Sequence, residues 1–333
     1  MTGLQLDANL GSLPPQALLD AVAGLDPEML RRYPATEPLE RVLAARFGVG
    51  AERVLVTAGA DDAIDRICRA RLGPGRSMVL PVPSFEMMEH FARLAGGAVV
   101  PIPWTRGPFP LDAIGRAVGP DTGVVVVVSP NNPTGAVATA ADLEGVAEAA
   151  GPAAVLLDHA YVEYAAADLT ARALTLPNVI VVRTLSKAWG LAGCRVGYAL
   201  GSPKAIDALR RAGAPYPVAA PSVALGLARL AAGERDMRAH VTRVRAERAA
   251  LCQRLTALGL EPWPSEANFV LVECGRRLRL VMTGLADRGV RVRAFPGRAG
   301  LETALRISLP GAPAAFAHLL AALDASLAAV AAS

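Results

Sequence analysis

Five consecutive valines at positions 124–128 constrain the fold of this chain more than any other feature. A strand with one face in water alternates apolar and polar residues. An unbroken β-branched run suits a strand covered on both faces. The run also belongs to a series. Strand-like segments at 54–57, 78–80, 154–158, 179–184 and 195–200 alternate with helix-like ones at 61–71, 86–95 and 141–150. That alternation predicts an α/β domain around a mostly parallel sheet. Beyond Pro203 the pattern changes. A long helical stretch at 221–258 precedes short strands at 269–273, 290–294 and 305–309, with helices at 276–288 and 314–330. This predicts a smaller α+β domain, completed by the N-terminal segment. The expected division is an N-terminal arm at 1–30, a large domain at 31–215 and a small domain at 216–333. A chain of 333 residues agrees with more than one core.

A hydrophobic fraction of 53% supplies the material for a large interior. The net charge of +4 is mild, and the arginines are scattered rather than blocked, so nucleic-acid binding is not expected. The first seven residues lack the basic and apolar runs of a secretory signal. The apolar stretch at 314–332 contains His318 and Asp324, which favours a packed helix over a membrane span. Cys68, Cys194, Cys252 and Cys274 show neither metal-ligand spacing nor a disulfide framework. Free thiols, a cytoplasmic location and no metal are therefore expected.

Among 34 basic residues only Lys187 and Lys204 are lysines. A guanidinium stays protonated and cannot form an imine, whereas a lysine amine can lose its proton and do so. Lys204 follows Gly201-Ser202-Pro203 at a helix start, where exposure is expected. Lys187 sits in Thr184-Leu185-Ser186-Lys187-Ala188-Trp189-Gly190, among small and hydroxylated residues. It is the candidate for chemistry.

Four segments fall at strand ends, where open α/β sheets place their ligands. In Thr57-Ala58-Gly59-Ala60-Asp61-Asp62 a strand turns into a helix whose first N–H groups can hold a phosphate, though Asp61 could equally be only an N-cap. Ser129-Pro130-Asn131-Asn132-Pro133-Thr134-Gly135 reads either as an ordinary turn or as a loop from which Asn132 donates to a bound oxyanion. Asp158 ends a hydrophobic strand, where a carboxylate needs compensation; a protonated ring nitrogen would supply it. Tyr161 lies within reach of a phenolate oxygen on the same ligand. His159 points the other way, toward a second layer or the surface. Thr184 and Ser186, two apart, project from one face of an extended segment and with Arg195 form a charge-assisted phosphate site beside Lys187.

Taken together, Asn131-Asn132-Pro133-Thr134-Gly135, Asp158-His159-Ala160-Tyr161 and Thr184-Leu185-Ser186-Lys187, with Arg195 eight residues on, resemble the class I/II aminotransferases that use pyridoxal 5'-phosphate (PLP). The resemblance spans nearly the whole chain. It implies the aspartate aminotransferase-like fold, with PLP bound by the large domain. It also implies that Lys187 forms the internal aldimine, Asp158 pairs with the pyridine nitrogen, and Asn132 and Tyr161 bond the ring oxygen. Phe85 would stack on the ring. Ala60, Asp61, Thr184, Ser186 and Arg195 would surround the phosphate. Tyr33, in Arg32-Tyr33-Pro34, resembles the tyrosine that reaches the neighbouring subunit's phosphate, which implies a homodimer.

The segment Leu305-Arg306-Ile307-Ser308 resembles the family's carboxylate-binding arginine motif. Upstream, Val290-Arg291-Val292-Arg293 places two arginines on one strand face, and Arg293 stands thirteen residues before Arg306. That spacing resembles the histidinol-phosphate aminotransferase subgroup, as do Tyr33-Pro34 and Gly59-Ala60-Asp61. The implied reaction is ping-pong amino transfer between L-histidinol phosphate and 2-oxoglutarate, in histidine biosynthesis. The subgroup usually carries Asn-Glu-Asn-Pro near its N-terminus, where this chain has Asn9-Leu10-Gly11-Ser12, and Phe85 replaces a usual tyrosine. Asn9 is retained as a substrate-side candidate. Alternatives are an aminotransferase for an aromatic or other biosynthetic amino acid, and an enzyme like phosphothreonine decarboxylase. A non-enzymatic PLP sensor is disfavoured, because such proteins carry a DNA-binding module ahead of the scaffold.

Overall fold

The computed structural model describes residues 3–331; the outermost two residues at each end, which the expected arm and small domain include, lie outside the described residues. The valine run occupies the strand Thr122–Val128, every residue of which is buried. It lies inside a seven-stranded sheet. In spatial order the strands are Val54–Thr57, Gly197–Leu200, Val179–Thr184, Ala154–Asp158, Thr122–Val128, Ser77–Val82 and Ala98–Pro103. Only Gly197–Leu200 runs against the others.

Alternate valines feed two separate cores. Val124, Val126 and Val128 join Ile64, Ile67, Met88 and Leu209 on one face. Val125 and Val127 join Leu39, Leu43, Leu143 and Val146 on the other. Helices Gly59–Arg71, Glu86–Leu94 and Pro203–Ala212 cover the first face, and Glu37–Phe47 and Ala140–Ala150 cover the second. Each fully buried valine contributes roughly 1.5–3 kcal/mol of hydrophobic stabilisation, so a charge anywhere in this run would break the sheet's centre.

The reversed strand has a functional consequence. Antiparallel neighbours can be joined by a short loop, whereas parallel ones need a long crossover. Residues 185–196 therefore leave Thr184 and return to Gly197 at the same edge, closed by Leu185 N–H donating to the Val196 carbonyl at 2.9 Å. Lys187 and Arg195 are both carried on this loop.

A second sheet stands beside the first. Its order is Arg293–Ala294, Ala304–Ser308, Phe269–Glu273 and Glu261–Pro262, all antiparallel. The strand Leu4–Gln5 pairs in parallel with Val290–Arg291, and Leu6 bridges onward to Ser308. The N-terminal segment is thereby drawn across to the C-terminal part of the chain.

Two sequence expectations need correction. The helix expected over 221–258 is two helices, Ala220–Ala232 and Glu234–Ala257. Gly233 separates them, and a Cβ there would meet the Arg229 carbonyl and side chain. The strand expected over 290–294 is interrupted at Val292, because Val290–Arg291 and Arg293–Ala294 pair with different partners. Arg291 and Arg293 therefore do not share one continuous strand face. Arg291 bonds Asp7 at 3.2 Å, and Arg293 turns to a cavity instead.

Candidate active site

A cavity of about 340 Å³ opens at the ends of the large sheet's parallel strands and faces the second sheet. Of the residues singled out by sequence, Asn9, Ala60, Asp61, Phe85, Asn132, Asp158, Tyr161, Thr184, Ser186, Lys187, Arg195, Arg293 and Arg306 all line it. Tyr33 does not. Its ring is 79% exposed and stacks on Tyr216, with centroids 4.5 Å apart.

One end of the cavity is built by a helix start. Gly59, at φ +79°, turns the chain from strand Val54–Thr57 into helix Gly59–Arg71. Gly197 passes so close that a Cβ on it would overlap the Gly59 and Ala60 backbone. The N-cap residue is Ala58, which has no capping side chain; Asp62, inside the first turn, reaches back to accept the Ala58 N–H at 2.9 Å and also accepts the Arg66 Nε at 2.9 Å. Asp61 therefore does not cap. Its carboxylate accepts instead from Arg195 Nη2 at 3.0 Å. Thr184 Oγ1 lies 2.9 Å from Ser186 Oγ, so the two hydroxyls do share one face. Helix N–H groups, two hydroxyls and a guanidinium converge here, which is the donor set of a phosphate site.

Asp158 lies in the floor. Its only hydrogen-bond donor among the described residues is the Ala160 N–H at 2.9 Å. Burial pushes its pKa up to about 7, against the Ala160 bond, with Asp61 adding to the rise and Lys187 opposing it. A carboxylate held this way favours a proton or a cationic partner. Lys187 Nζ is 5.4 Å from the centre of the Tyr161 ring. The loop carrying Lys187 is clamped from behind by the buried Arg229, whose Nε donates to the Trp189 carbonyl at 3.0 Å. Gly11 packs against it from the front, and a Cβ there would collide with the Lys187 carbonyl.

His159 is buried, which corrects the surface alternative and leaves the second layer. Its Nδ1 is 2.5 Å from the Ser129 carbonyl. Burial, reinforced by the Arg183 charge, brings its pKa down to about 4, so the ring is neutral near pH 7. Asn131 is an anchor for its loop, donating to the Pro83 carbonyl and Thr134 Oγ1. Asn132 faces the cavity, and its Oδ1 accepts from Arg306 Nη1 at 2.6 Å. That leaves the amide N–H groups of Asn132 free to donate. Likewise Tyr161 Oη accepts from Asn9 Nδ2 at 3.0 Å, leaving its own proton free.

At the opposite end, Arg306 is buried between the rings of Phe269 and Phe295. Its Nη2 donates to the Asp7 carbonyl at 2.6 Å, while Nε has no partner among the described residues. Burial lowers its pKa. Asn9, at φ +52°, is fixed by Ser308, which donates to its Oδ1 at 2.7 Å. Sequence reasoning passed over Asp7, Ser84, Glu86, Phe295 and Arg298, all of which line the cavity. Glu86 directly follows Phe85 and was the one within reach of a sequence argument. The others sit on loops with no periodicity to mark them.

The family model for "Aminotransferase class I and II" matches residues 3–323. The chain belongs to this family. It is a PLP-dependent aminotransferase of α/β fold. It is 34% identical to a histidinol-phosphate aminotransferase of Symbiobacterium thermophilum, over 97% of this chain and 90% of that one. It is 33% identical to an aromatic amino acid aminotransferase of Cutibacterium acnes, over 89% and 84%. The crystal structure of histidinol-phosphate aminotransferase from Sinorhizobium meliloti, in complex with pyridoxal-5'-phosphate, is similar with a TM-score of 0.89. Identity there is 28%, covering 99% of this chain and 92% of that one. The residues of the cavity fit the cofactor: an amine-bearing lysine, a buried carboxylate short of donors, and a phosphate-type donor set at a helix start.

Proposed function

We propose that this aminotransferase moves the amino group of L-histidinol phosphate to 2-oxoglutarate in two half-reactions at one site. The observation that carries the substrate class is the arginine end of the cavity. Arg306 is buried, keeps an Nε with no partner among the described residues, and has Arg293 in register beside it on the neighbouring strand. A buried guanidinium with an open donor favours an anion, and its planar fork suits a carboxylate or phosphate.

When bound, PLP supplies an electron sink for charge developing at the substrate Cα. The chain's own groups do the rest. Lys187 holds the cofactor through its amine and, once displaced by the substrate amine, moves the proton at Cα. Asp158 keeps a proton on the pyridine nitrogen, which relieves its own burial. Asn132 and Tyr161 donate to the ring oxygen, and Phe85 covers the ring. Ala60, Asp61, Thr184, Ser186 and Arg195 hold the phosphate. Histidinol phosphate has no carboxylate, so Arg306 meets its phosphate in one half-reaction and the oxoacid carboxylate in the other.

An assembly of two copies belongs to the same proposal. Tyr33 lies on the surface, outside the cavity of its own chain, where it is free to serve a neighbour. The division into an arm at 1–30, a PLP-binding large domain at 31–215 and a small domain at 216–333 is part of it too, as is action in the cytoplasm. Among the described residues no helix is long and apolar enough to cross a membrane.

One observation favours a second reading. Leu10 lines the cavity where the histidinol-phosphate subgroup usually places an acid, and with Phe85 and Phe295 it offers an aromatic side chain apolar company. Half-reactions of the holoenzyme with a panel of amino donors separate the two. Conversion to the pyridoxamine form by L-histidinol phosphate supports the first. No response to it, with turnover of L-phenylalanine, overturns it in favour of the second.

A further inference from the structure

Besides Arg195, three arginines line the cavity: Arg306, Arg298 and Arg293. Arg306 is buried, and the side-chain exposure of the other two is 25% for Arg298 and 49% for Arg293. Arg298 comes from the loop after strand Arg293–Ala294, and its Nη2 donates to the Ser84 carbonyl across the cleft. Three acids are close. Glu89, whose charge acts on Arg298, is paired with Arg93 at 2.9 Å. Asp7 is bonded by Arg291, which lies outside the cavity lining. Among the described residues Glu86 is therefore the one of these acids without a close ion pair of its own, standing between two cations, 3.7 Å from Arg293 and 4.0 Å from Arg298.

Those separations are too long for good hydrogen bonds. The Glu86 side chain is also 61% exposed, so it can swing into solvent at little cost. Burial lowers the pKa of Arg298 as it does that of Arg306, so neither guanidinium is fully compensated by its present partners. One carboxylate is satisfied by one guanidinium fork, which Arg306 supplies. Two further cations exceed what a monoanion needs. A phosphate ester has three terminal oxygens and close to two charges near pH 7, and can engage several guanidinium groups at once.

We propose that Arg298 is a specificity-determining residue that joins Arg293 and Arg306 in binding a phosphate dianion on the substrate, with Glu86 as the counter-ion that this phosphate displaces. The inference rests on the reading that the amino donor carries a distal phosphate, and deepens it by naming the residues that count its charge. Charge-counting here is a matter of affinity difference: the site gains with a dianion what it cannot gain with a neutral or singly charged group.

The test is titration calorimetry on the holoenzyme with imidazolylpropyl phosphate, which lacks the amine and cannot react, and with the corresponding alcohol. Arg298→Ala is expected to weaken the phosphate ester about 10- to 50-fold while changing the alcohol by less than about threefold, as loss of a charge-assisted bond should. Arg298→Lys should recover part of that loss. Glu86→Gln should tighten the phosphate ester by about 3- to 10-fold, because a competing carboxylate is gone. Equal weakening of ester and alcohol in Arg298→Ala would make Arg298 a packing residue and overturn the proposal. Weaker phosphate binding in Glu86→Gln would overturn the counter-ion role. If the wild type turns over L-phenylalanine and not L-histidinol phosphate, the substrate reading fails separately. Arg298 is then decided by inorganic phosphate as an inhibitor of the L-phenylalanine half-reaction. Weaker inhibition in Arg298→Ala supports it as an anion ligand, and equal inhibition overturns it.

Discussion

The two ends of the cavity are built differently. The Lys187 end takes its residues from the C-terminal ends of parallel strands of the large sheet and from the loops that leave them: Gly59-Ala60-Asp61, Asn132, Asp158 and Thr184 to Lys187. Each is placed by a strand covered on both faces. The arginine end is assembled from distant pieces: Asp7 and Asn9 from the N-terminal arm, Glu86 from a helix start, and Arg293, Arg298 and Arg306 from the second sheet and its loop. The first end is rigid because its supports are the core itself. The second depends on how separate segments meet.

The most damaging change at the rigid end is Lys187→Ala. It removes the amine that holds the cofactor and moves the proton. Transamination should fall about 10⁴-fold or more, with loss of the visible absorbance of covalently bound cofactor. A spectrum and a single-turnover half-reaction check this. Wild-type transamination in the variant would remove the lysine from its role and, with it, the distinction between the two ends.

Asp158→Asn tests the same end through stability. The carboxyl's pKa in the fold is about 7, above its ordinary 3.8. Its burden on the cofactor-free fold is therefore absent below about pH 4, grows as the pH rises, and is full above about pH 7. The variant lacks this titration. Cofactor-free Asp158→Asn should match the wild type at pH 4 and exceed it by roughly 2–4 kcal/mol at pH 8 in urea unfolding. With PLP bound the order should reverse, since a pyridinium partner compensates the carboxylate. A stability difference that ignores pH would mean that Asp158 is already satisfied without the cofactor.

These contrasts explain what was legible in the sequence. The valine run, the strand ends and the rare lysine are local signals, and the fold and the Lys187 end followed from them. Even there, a contact could be misassigned: the carboxylate that meets the helix-start backbone is that of Asp62, and Asp61 meets Arg195 across 134 residues of chain. At the arginine end, Arg306 and Arg293 were visible through the resemblance of their motif and spacing to those of the family. Arg298 was not, and Glu86 was within reach only as the neighbour of Phe85, because their meaning comes from a cleft that only the fold creates. The interruption at Val292 was also hidden, since each half of that segment pairs with a different partner and pairing is not a local property.

The smallest effect is expected at the seam between the two ends. Asn9 links them, donating to Tyr161 Oη at 3.0 Å while Ser308 of the second sheet donates to its Oδ1. Its φ of +52° makes alanine a strained replacement, so Asn9→Gly removes the side chain while keeping the backbone at ease. Loss of a bond to a buried hydroxyl and of the link to Tyr161 should cost about 1–2 kcal/mol of stability. Activity should fall only several-fold, because Tyr161 keeps the proton it donates. If the fall is instead as large for Asn9→Gly as for Lys187→Ala, the arm does more than brace the tyrosine. The division into a rigid cofactor end and an assembled substrate end would then have to be redrawn to put Asn9 on the cofactor side.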